Sequence, residues 1–496
     1  MIHARKATLA VAVAAALAAA SLPALADSKT EAQLRQMIDL QAQQIEQQKA
    51  QLAAMNQRLT ALEGQSPSSA ATAVAPAAGD PGQAQVAAAV ADTRQDDDLA
   101  ILKAQVDQLA ASGGGGNGNV SWRDGGPEFK SSDGRFTFHP RGRVLMDFSS
   151  THGSGFDARN VTGTDMASGR LGAEGQMGSL GYKIEADFAG NAVSMKDVYL
   201  SYDTKVGDLP AEVYVGNKLK DRSIDGATGN TTTPFMERNA VASVGGMQSG
   251  YFGLGVSTKL YGSNWHASLA VTGDDIGNGS DASDTVAYTA RAHWNPIKGS
   301  AGFLHLGGWY WYEKLGDDVT SINKTSPVAL GWNGEVRVSA SSIAGVTDDH
   351  AWGAELGGVW RSGWAFAETT VRTINSSSEA SRDQKASSYS VGWLLTGEKP
   401  GFSSRSGVWS TTKVLNPVTE GGWGAFELLA RYDDYDFTDT ARGGDGDAWT
   451  LGVNWYLNNW SRLMLNMVHW STNNKVGAYQ GPDSGNTVGV RAQVVF

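Results

Sequence analysis

Twelve basic residues stand out by their positions. Arg141 and Arg143 share the parity opposite Phe136, Phe138, Val144, Met146 and Phe148 in an alternating segment. Arg170, Lys183, Lys259, Arg291, Arg431 and Arg491 fall on the polar face of other segments by the same rule. Lys218, Lys220, Arg222 and Arg238 lie in or beside residues 219–240, a connection longer than a hairpin needs. A polar face carrying cations attracts small anions, and in a narrow, partly desolvated passage a few charges suffice. Lysine suits such a site, because its ammonium binds phosphate as a point charge without a rigid two-point clamp. Acidic residues compete. Glu174, Glu185, Asp187 and Glu427 are placed to pair with the cations and rigidify a wall, while Asp221, Asp225 and Glu237 interrupt the long connection.

Other chemistry finds little support. No G-x-S-x-G elbow and no H-E-x-x-H pair occurs. The eight histidines do not cluster at metal spacing, and His139, His266, His293, His305 and His469 fall singly in separate segments. No catalytic, metal or cofactor site is expected. Asp433, Asp434, Asp436, Asp439, Asp445 and Asp447 flank one hairpin tip; a solvated loop is the plain reading, and a divalent-cation bridge to lipopolysaccharide phosphates the sharper one. A formal charge of −11 argues against a nucleic-acid partner.

The elements that must position these residues are strands. Apolar and polar residues alternate with a period of two from about residue 135 to the end. Sixteen segments follow this rule: 135–148, 168–177, 182–188, 195–202, 212–218, 251–261, 265–273, 285–295, 303–312, 352–360, 364–372, 387–396, 423–433, 447–457, 462–470 and 487–496. An even count of this size matches a membrane barrel, in which only every second residue faces lipid. Tight turns at 178–181, 261–264, 361–363 and 458–460 contrast with long polar connections at 316–350, 375–386 and 397–422, which predicts short turns at one end and long loops at the other. Trp265, Trp294, Trp352, Trp360, Trp393, Trp449 and Trp455 lie near segment ends, as girdles at the headgroups would. A soluble β-rich domain with Trp-rich cores is the competing reading.

The N-terminal quarter differs. Residues 1–26 read as a signal peptide, with Arg5 and Lys6 before an apolar run and Ala24-Leu25-Ala26 at the cleavage site. The absence of cysteine fits an exported protein. Residues 27–64 form a coiled-coil helix, with Ile38, Ile45, Leu52 and Leu59 seven apart and Gln41 and Gln48 as polar layers. A parallel oligomer on the periplasmic side follows. Residues 65–120 are a linker with a short second helix around Leu99, Leu102, Val106 and Leu109, and residues 121–496 are the barrel.

Several stretches resemble the phosphate- and polyphosphate-selective porins of bacterial outer membranes. They are Glu212-Val213-Tyr214-Val215-Gly216-Asn217, Pro234-Phe235-Met236-Glu237-Arg238, Phe426-Glu427-Leu428-Leu429-Ala430-Arg431-Tyr432 and Trp455-Tyr456-Leu457-Asn458. The last strand, Asn486 to Phe496, resembles the closing strand of outer-membrane barrels in its terminal aromatic. The resemblance implies an all-β, transmembrane antiparallel barrel of about sixteen strands, assembled as a homotrimer among lipid and lipopolysaccharide in a Gram-negative outer membrane. It implies a third loop folded inward and basic residues lining a path for small anions, here the twelve named above, with no cofactor. One feature departs from it: from residue 121 onward 32 Lys and Arg stand against 40 Asp and Glu. A general or cation-preferring pore, or an envelope tether whose barrel only anchors it, are the alternatives. A barrel hydrolase acting on lipid or peptide is a third class.

Overall fold

The computed structural model describes residues 118–123, 125–276 and 284–496. The expected signal peptide, coiled coil and most of the linker, residues 1–117, lie outside the described residues.

Sixteen strands form one closed antiparallel barrel. They are β1 (Phe136–His152), β2 (Thr162–Met177), β3 (Leu180–Asp187), β4 (Ser194–Val206), β5 (Leu209–Leu219), β6 (Phe252–Tyr261), β7 (Trp265–Thr272), β8 (Val286–Trp294), β9 (Gly302–Lys314), β10 (Val346–Trp360), β11 (Gly363–Ser376), β12 (Arg382–Leu394), β13 (Ala425–Asp436), β14 (Asp445–Tyr456), β15 (Ser461–Asn474) and β16 (Gly481–Val495). Each pairs with the next, and β16 pairs with β1 from Asn486↔His152 to Val495↔Arg143, which leaves no free edge. The alternation sorts the faces as the sequence predicts. On β1, Phe136, Phe138, Met146 and Phe148 are exposed, while His139, Arg143, Asp147, Ser149 and Thr151 are buried. Leu, Val and Phe on the outside of a barrel require lipid as their solvent. Trp294, Trp360 and Trp393 sit outward near one end and Trp352 and Trp449 toward the other.

Two local features close the barrel. The two-residue turns at 178–179 and 207–208 need a positive φ, which Gly178 (+65°) and Gly207 (+60°) supply. At the seam, Phe496 donates its N–H to the Gly142 carbonyl at 2.9 Å. A Cβ on Gly142 would lie 2.5 Å from the Phe496 ring, so that position must stay bare.

Three differences from the sequence reading appear. A hairpin, Gly118–Arg123 paired with Gly126–Ser131, precedes the barrel and joins β1 through Phe129↔Phe138. The 375–386 connection shrinks to residues 377–381, because β11 and β12 continue their ladder outward. The long connection 395–424 joins β12 to β13 and therefore leaves the barrel at the end where the strand turns are short, not among the long outer loops.

That connection enters the lumen, as do residues 220–251 (β5 to β6) and 315–345 (β9 to β10) from the opposite end. The first insertion carries a helix, α1 (Ala240–Val244), capped by Asn239, whose side chain accepts from the Ala242 N–H at 2.9 Å. Met236, Val241, Val244 and Met247 of the first insertion and Val328, Leu330, Val336 and Val338 of the second pack against Trp309, Trp311, Met464, Val468 and Trp470 on the inner wall. Ile224, Phe235 and Trp409 form a second cluster with Trp364, Phe366 and Leu429. The barrel thus holds an apolar core inside its lumen, on the β9–β15 side.

Candidate functional site: a basic passage along one wall

The inner faces of β1 to β6 remain uncovered by this core. They border a cavity of about 510 Å³, closed on its other side by residues 227–232 and Arg238 of the first insertion. Parity places Arg141 and Arg143 on β1, Arg170 on β2, Lys183 on β3, Lys218 on β5 and Lys259 on β6 along the lining, and a register shift opposite Ile184 and Ala186 brings the consecutive Lys196 and Asp197 of β4 to it together. With Arg238 there are eight cations, against the carboxylates of Asp197, Asp221 and Asp275.

Carboxylates brace part of this wall. Glu185 receives Arg143 at 2.8 Å and Arg170 at 3.0 Å, and Arg170 also reaches Asp187 at 2.7 Å. Arg141 pairs with Glu174, Lys183 with Asp197 at 2.6 Å and Lys259 with Asp221 at 2.7 Å. Burial raises the affinity of Asp221 for its proton, but Lys259 and Arg291 overcome it and hold the carboxyl well below the usual range. Two lysines are different. Lys218 rests its ammonium 4.6 Å from the Tyr214 ring centre, and Lys196 lies 5.9 Å from that of Phe252; among the described residues neither has a carboxylate within ion-pair distance. An aromatic face steadies an ammonium without neutralising it. The field of these two lysines is therefore free to act on a solute. A smaller cavity of about 140 Å³ shares Arg141, Thr231 and Thr232 and continues among Thr411, Thr412, Asn458, Arg462 and Phe496, at the end where the chain closes.

The other cations named from sequence lie away from this cavity. Arg291 grips Glu355 with two bonds, 2.8 and 2.9 Å, touches Asp221 at 3.1 Å and donates to the Gly407 carbonyl at 2.6 Å. Arg431 pairs with Asp433 at 2.6 Å and donates to the Glu237 carbonyl. Arg491 holds Asp147 with two bonds of 2.7 Å and donates to the Met236 carbonyl. These three fasten insertions to the wall. Lys220 is buried, donating to Ser249 Oγ at 2.6 Å and to the Gly250 carbonyl; burial pushes its ammonium down to about 8, against the pull of Glu313. Arg222 is buried against Tyr251 and donates to the Ala242 carbonyl.

The fastening extends along the first insertion. Its carbonyls at Thr231, Thr233 and Pro234 accept from Gln493, Arg462 and Asn454, and its amides at Ile224, Met236 and Ala240 donate to Glu368, Asn466 and Asp433. Side-chain amides and charges on an inner wall thus satisfy a backbone that forms no sheet. The third insertion meets the first inside the lumen: Trp409 donates its indole N–H to Asp225 at 3.0 Å and its backbone N–H to Thr228 Oγ1 at 3.1 Å.

Sequence reasoning missed the grouping of histidines. His266 and His293 face each other across β7 and β8 with Nδ1 atoms 2.7 Å apart, and the His293 and His305 rings stack at 4.9 Å. The signal was available, since adjacent antiparallel strands set equivalent positions side by side. Among the described residues no group of His, Asp and Glu could hold a metal ion.

An uncharacterised protein of Caulobacter vibrioides is 30% identical over 442 residues, covering 84% of this chain and 82% of its own. Porin O of Pseudomonas aeruginosa is 27% identical over 412 residues, covering 75% and 91%. Among solved structures, an anion-selective porin from Comamonas acidovorans overlaps 72% of this chain and 99% of its own, at 14% identity and a TM-score of 0.43. OmpT of Vibrio cholerae overlaps 73% and 98%, at 12% identity and a TM-score of 0.46. Residues 138–496, the whole closed barrel but two residues of its first strand, match the family described as phosphate-selective porin O and P, and the chain belongs to that family.

Proposed function

We propose that this outer-membrane porin passes small anions, phosphate or polyphosphate among them, by passive diffusion along the β1–β6 wall. The observation that carries the reading is the cavity of about 510 Å³ with eight cations against three carboxylates, two of its lysines without a carboxylate partner. The net charge of the chain does not oppose it, because the field where the passage narrows sets selectivity. Arg141, Arg143, Arg170, Lys183, Lys218, Arg238 and Lys259 line the path; Lys220, Arg222, Arg291, Arg431 and Arg491 shape it from behind. The same reading makes the protein a homotrimer bounded by lipid and lipopolysaccharide, which crosslinking of the intact protein tests; a purely monomeric ladder is the contrary result. The decisive measurement is the zero-current potential across a planar bilayer in chloride and phosphate gradients. Anion preference is expected in both. A cation-side potential would instead make it a general or cation-preferring pore, and no open-pore current at all would leave a barrel that only anchors.

A further inference from the structure

Behind the passage, where the first two insertions touch, buried positive charge lacks partners. Arg222 is completely buried, and its Nε and Nη2 have no acceptor; only Nη1 is used, toward the Ala242 carbonyl at 2.9 Å. Lys324, from the second insertion, points to the same place. A methyl group on Gly246 would lie 3.3 Å from Nη2 of Arg222 and 3.4 Å from Nζ of Lys324. Arg372 of β11, also fully buried, spends Nε and Nη2 on Asp349 and leaves Nη1 without an acceptor.

The neighbouring carboxylates are two. Asp349 holds Arg372 through Oδ2, and its Oδ1 has no partner. Glu313 accepts from the backbone of Gln248 and Ser249 and from the Ser249 hydroxyl, which in turn receives Lys220. Counting Arg372 with Asp349 and Lys220 with Glu313 leaves Arg222 and Lys324 uncompensated. A buried charge without a counter-ion is strongly disfavoured, so such a site either loses its proton or gains an anion. A guanidinium does not lose its proton at ordinary pH. Burial, with Arg372 and Arg222 alongside, pushes the Lys324 ammonium down to about 7, and an added negative charge reverses that push.

We propose that a small inorganic anion, chloride-sized up to orthophosphate, is held between Arg222, Lys324 and Arg372 as a fixed structural ion that locks the first insertion to the second. It satisfies the free donors of both arginines and bridges two segments far apart in sequence. It is distinct from a solute in transit, because none of the three side chains lines the basic cavity. The donors of Arg222 and Lys324 meet one backbone carbonyl there, that of Ser243, 3.0 Å from the same methyl position, and the net positive charge of the place favours an anion over a water.

Bromide serves as the probe. Crystals of the intact protein soaked in bromide, measured at the bromine edge, should show a peak in contact with Arg222 and Lys324. In solution, the thermal midpoint should rise by a few degrees in chloride or bromide over a bulky organic sulfonate at equal ionic strength. Lys324→Met should abolish that rise, and the exposed control Lys298→Met should keep it. No bromide at this position overturns the proposal. So does a peak with no anion-dependent stability, which marks an adventitious ion only, and so does an undiminished rise in Lys324→Met. If Lys324→Met does not assemble, the bromide peak and the wild-type anion dependence decide together. Neither readout uses ionic current, so failure of anion preference in bilayers leaves this inference standing.

Discussion

The two sides of the lumen use the same residue types to opposite ends. On β1–β6, Glu185 is shared by Arg143 and Arg170 and lies 3.7 Å from Arg141, while Lys196 and Lys218 have no carboxylate within ion-pair distance among the described residues. On β8–β16, Arg291, Arg431 and Arg491 are each paired with a carboxylate and spend further donors on an insertion's carbonyls. A cation that shares its partner keeps an outward field; a cation fully paired becomes a clamp. The apolar residues follow the same division. Trp309, Trp311, Trp364 and Trp470 are buried inside the filled side, whereas the inner face of β1–β6 carries few large apolar side chains. Filling one side narrows the conduit and fixes it against the other.

Reversing charge on the open side should have the largest effect. Lys196→Glu with Lys218→Glu replaces two uncompensated cations by two anions. At an effective dielectric of about 20, a pair of unit charges about 4 Å apart interacts by ~4 kcal/mol, and a third of that is roughly a factor of ten. Phosphate conductance should fall about tenfold or more, and the zero-current potential should move to the cation side. The same reversal at Lys298 and Lys399, outside the lumen at the turn end, should change little. Equal effects from both pairs would erase the distinction between a selective wall and general surface charge.

The filled side should answer in stability before selectivity. Arg291→Met leaves Glu355 without its main partner and releases the third insertion at Gly407. Removing one member of a buried pair costs about 3–5 kcal/mol. Urea unfolding from lipid vesicles should show that loss, while the sign of the zero-current potential stays as in wild type. A variant of normal stability but inverted selectivity would place Arg291 in the path after all.

The division itself was only half legible in the sequence. Period-two alternation located most of the sixteen strands, because lipid outside and water inside impose opposite demands on successive residues. The parity of Arg141, Arg143, Arg170 and Lys183 placed them inward for the same reason. The core inside the lumen obeys a different rule. Where an insertion covers the inner face, both faces of a strand turn apolar, and Phe303 to Tyr312 and Trp364 to Ala367 already read almost without alternation. What could not be read is partner choice. Arg431 and Arg143 share one parity pattern, yet Asp433 lies two residues along the same strand as Arg431, while Glu185 reaches Arg143 only through β2 and β3 folding back. The connection 395–424 was misplaced because length and polarity suggested an outer loop, although Trp409 and Phe402 within it mark a segment that must be buried.

Trp409→Phe sharpens the point at which the insertions meet. It keeps most of the packing against Trp364 and Phe366 but deletes the indole bond to Asp225. Leaving a buried acceptor short of a donor costs about 1–3 kcal/mol. Unfolding should show a loss in that range, with noisier single-channel current as residues 220–251 and 395–424 come loose from each other. A silent variant would mean that the two insertions are held by the walls alone.

The smallest effect sits between the two sides. Lys220 follows β5 directly, next to Lys218 of the open wall, yet its ammonium is buried with Ser249 and Gly250 and pushed down to about 8. In the unfolded chain a lysine titrates near ~10.4. Between these values the unfolded chain holds a proton that the folded protein has released, so unfolding takes up a proton and stability rises with pH. Below about 8 both states carry the charge, and the full cost of burying it is present. Lys220→Met removes this dependence and loses two hydrogen bonds at every pH. Parallel unfolding of wild type and variant at pH 7 and pH 10 separates the two contributions: the constant offset reports the bonds, and the change between pH values reports the buried charge. Wild type should gain on the variant as the pH rises. A difference that stays flat would mean that Lys220 keeps its ordinary affinity for the proton.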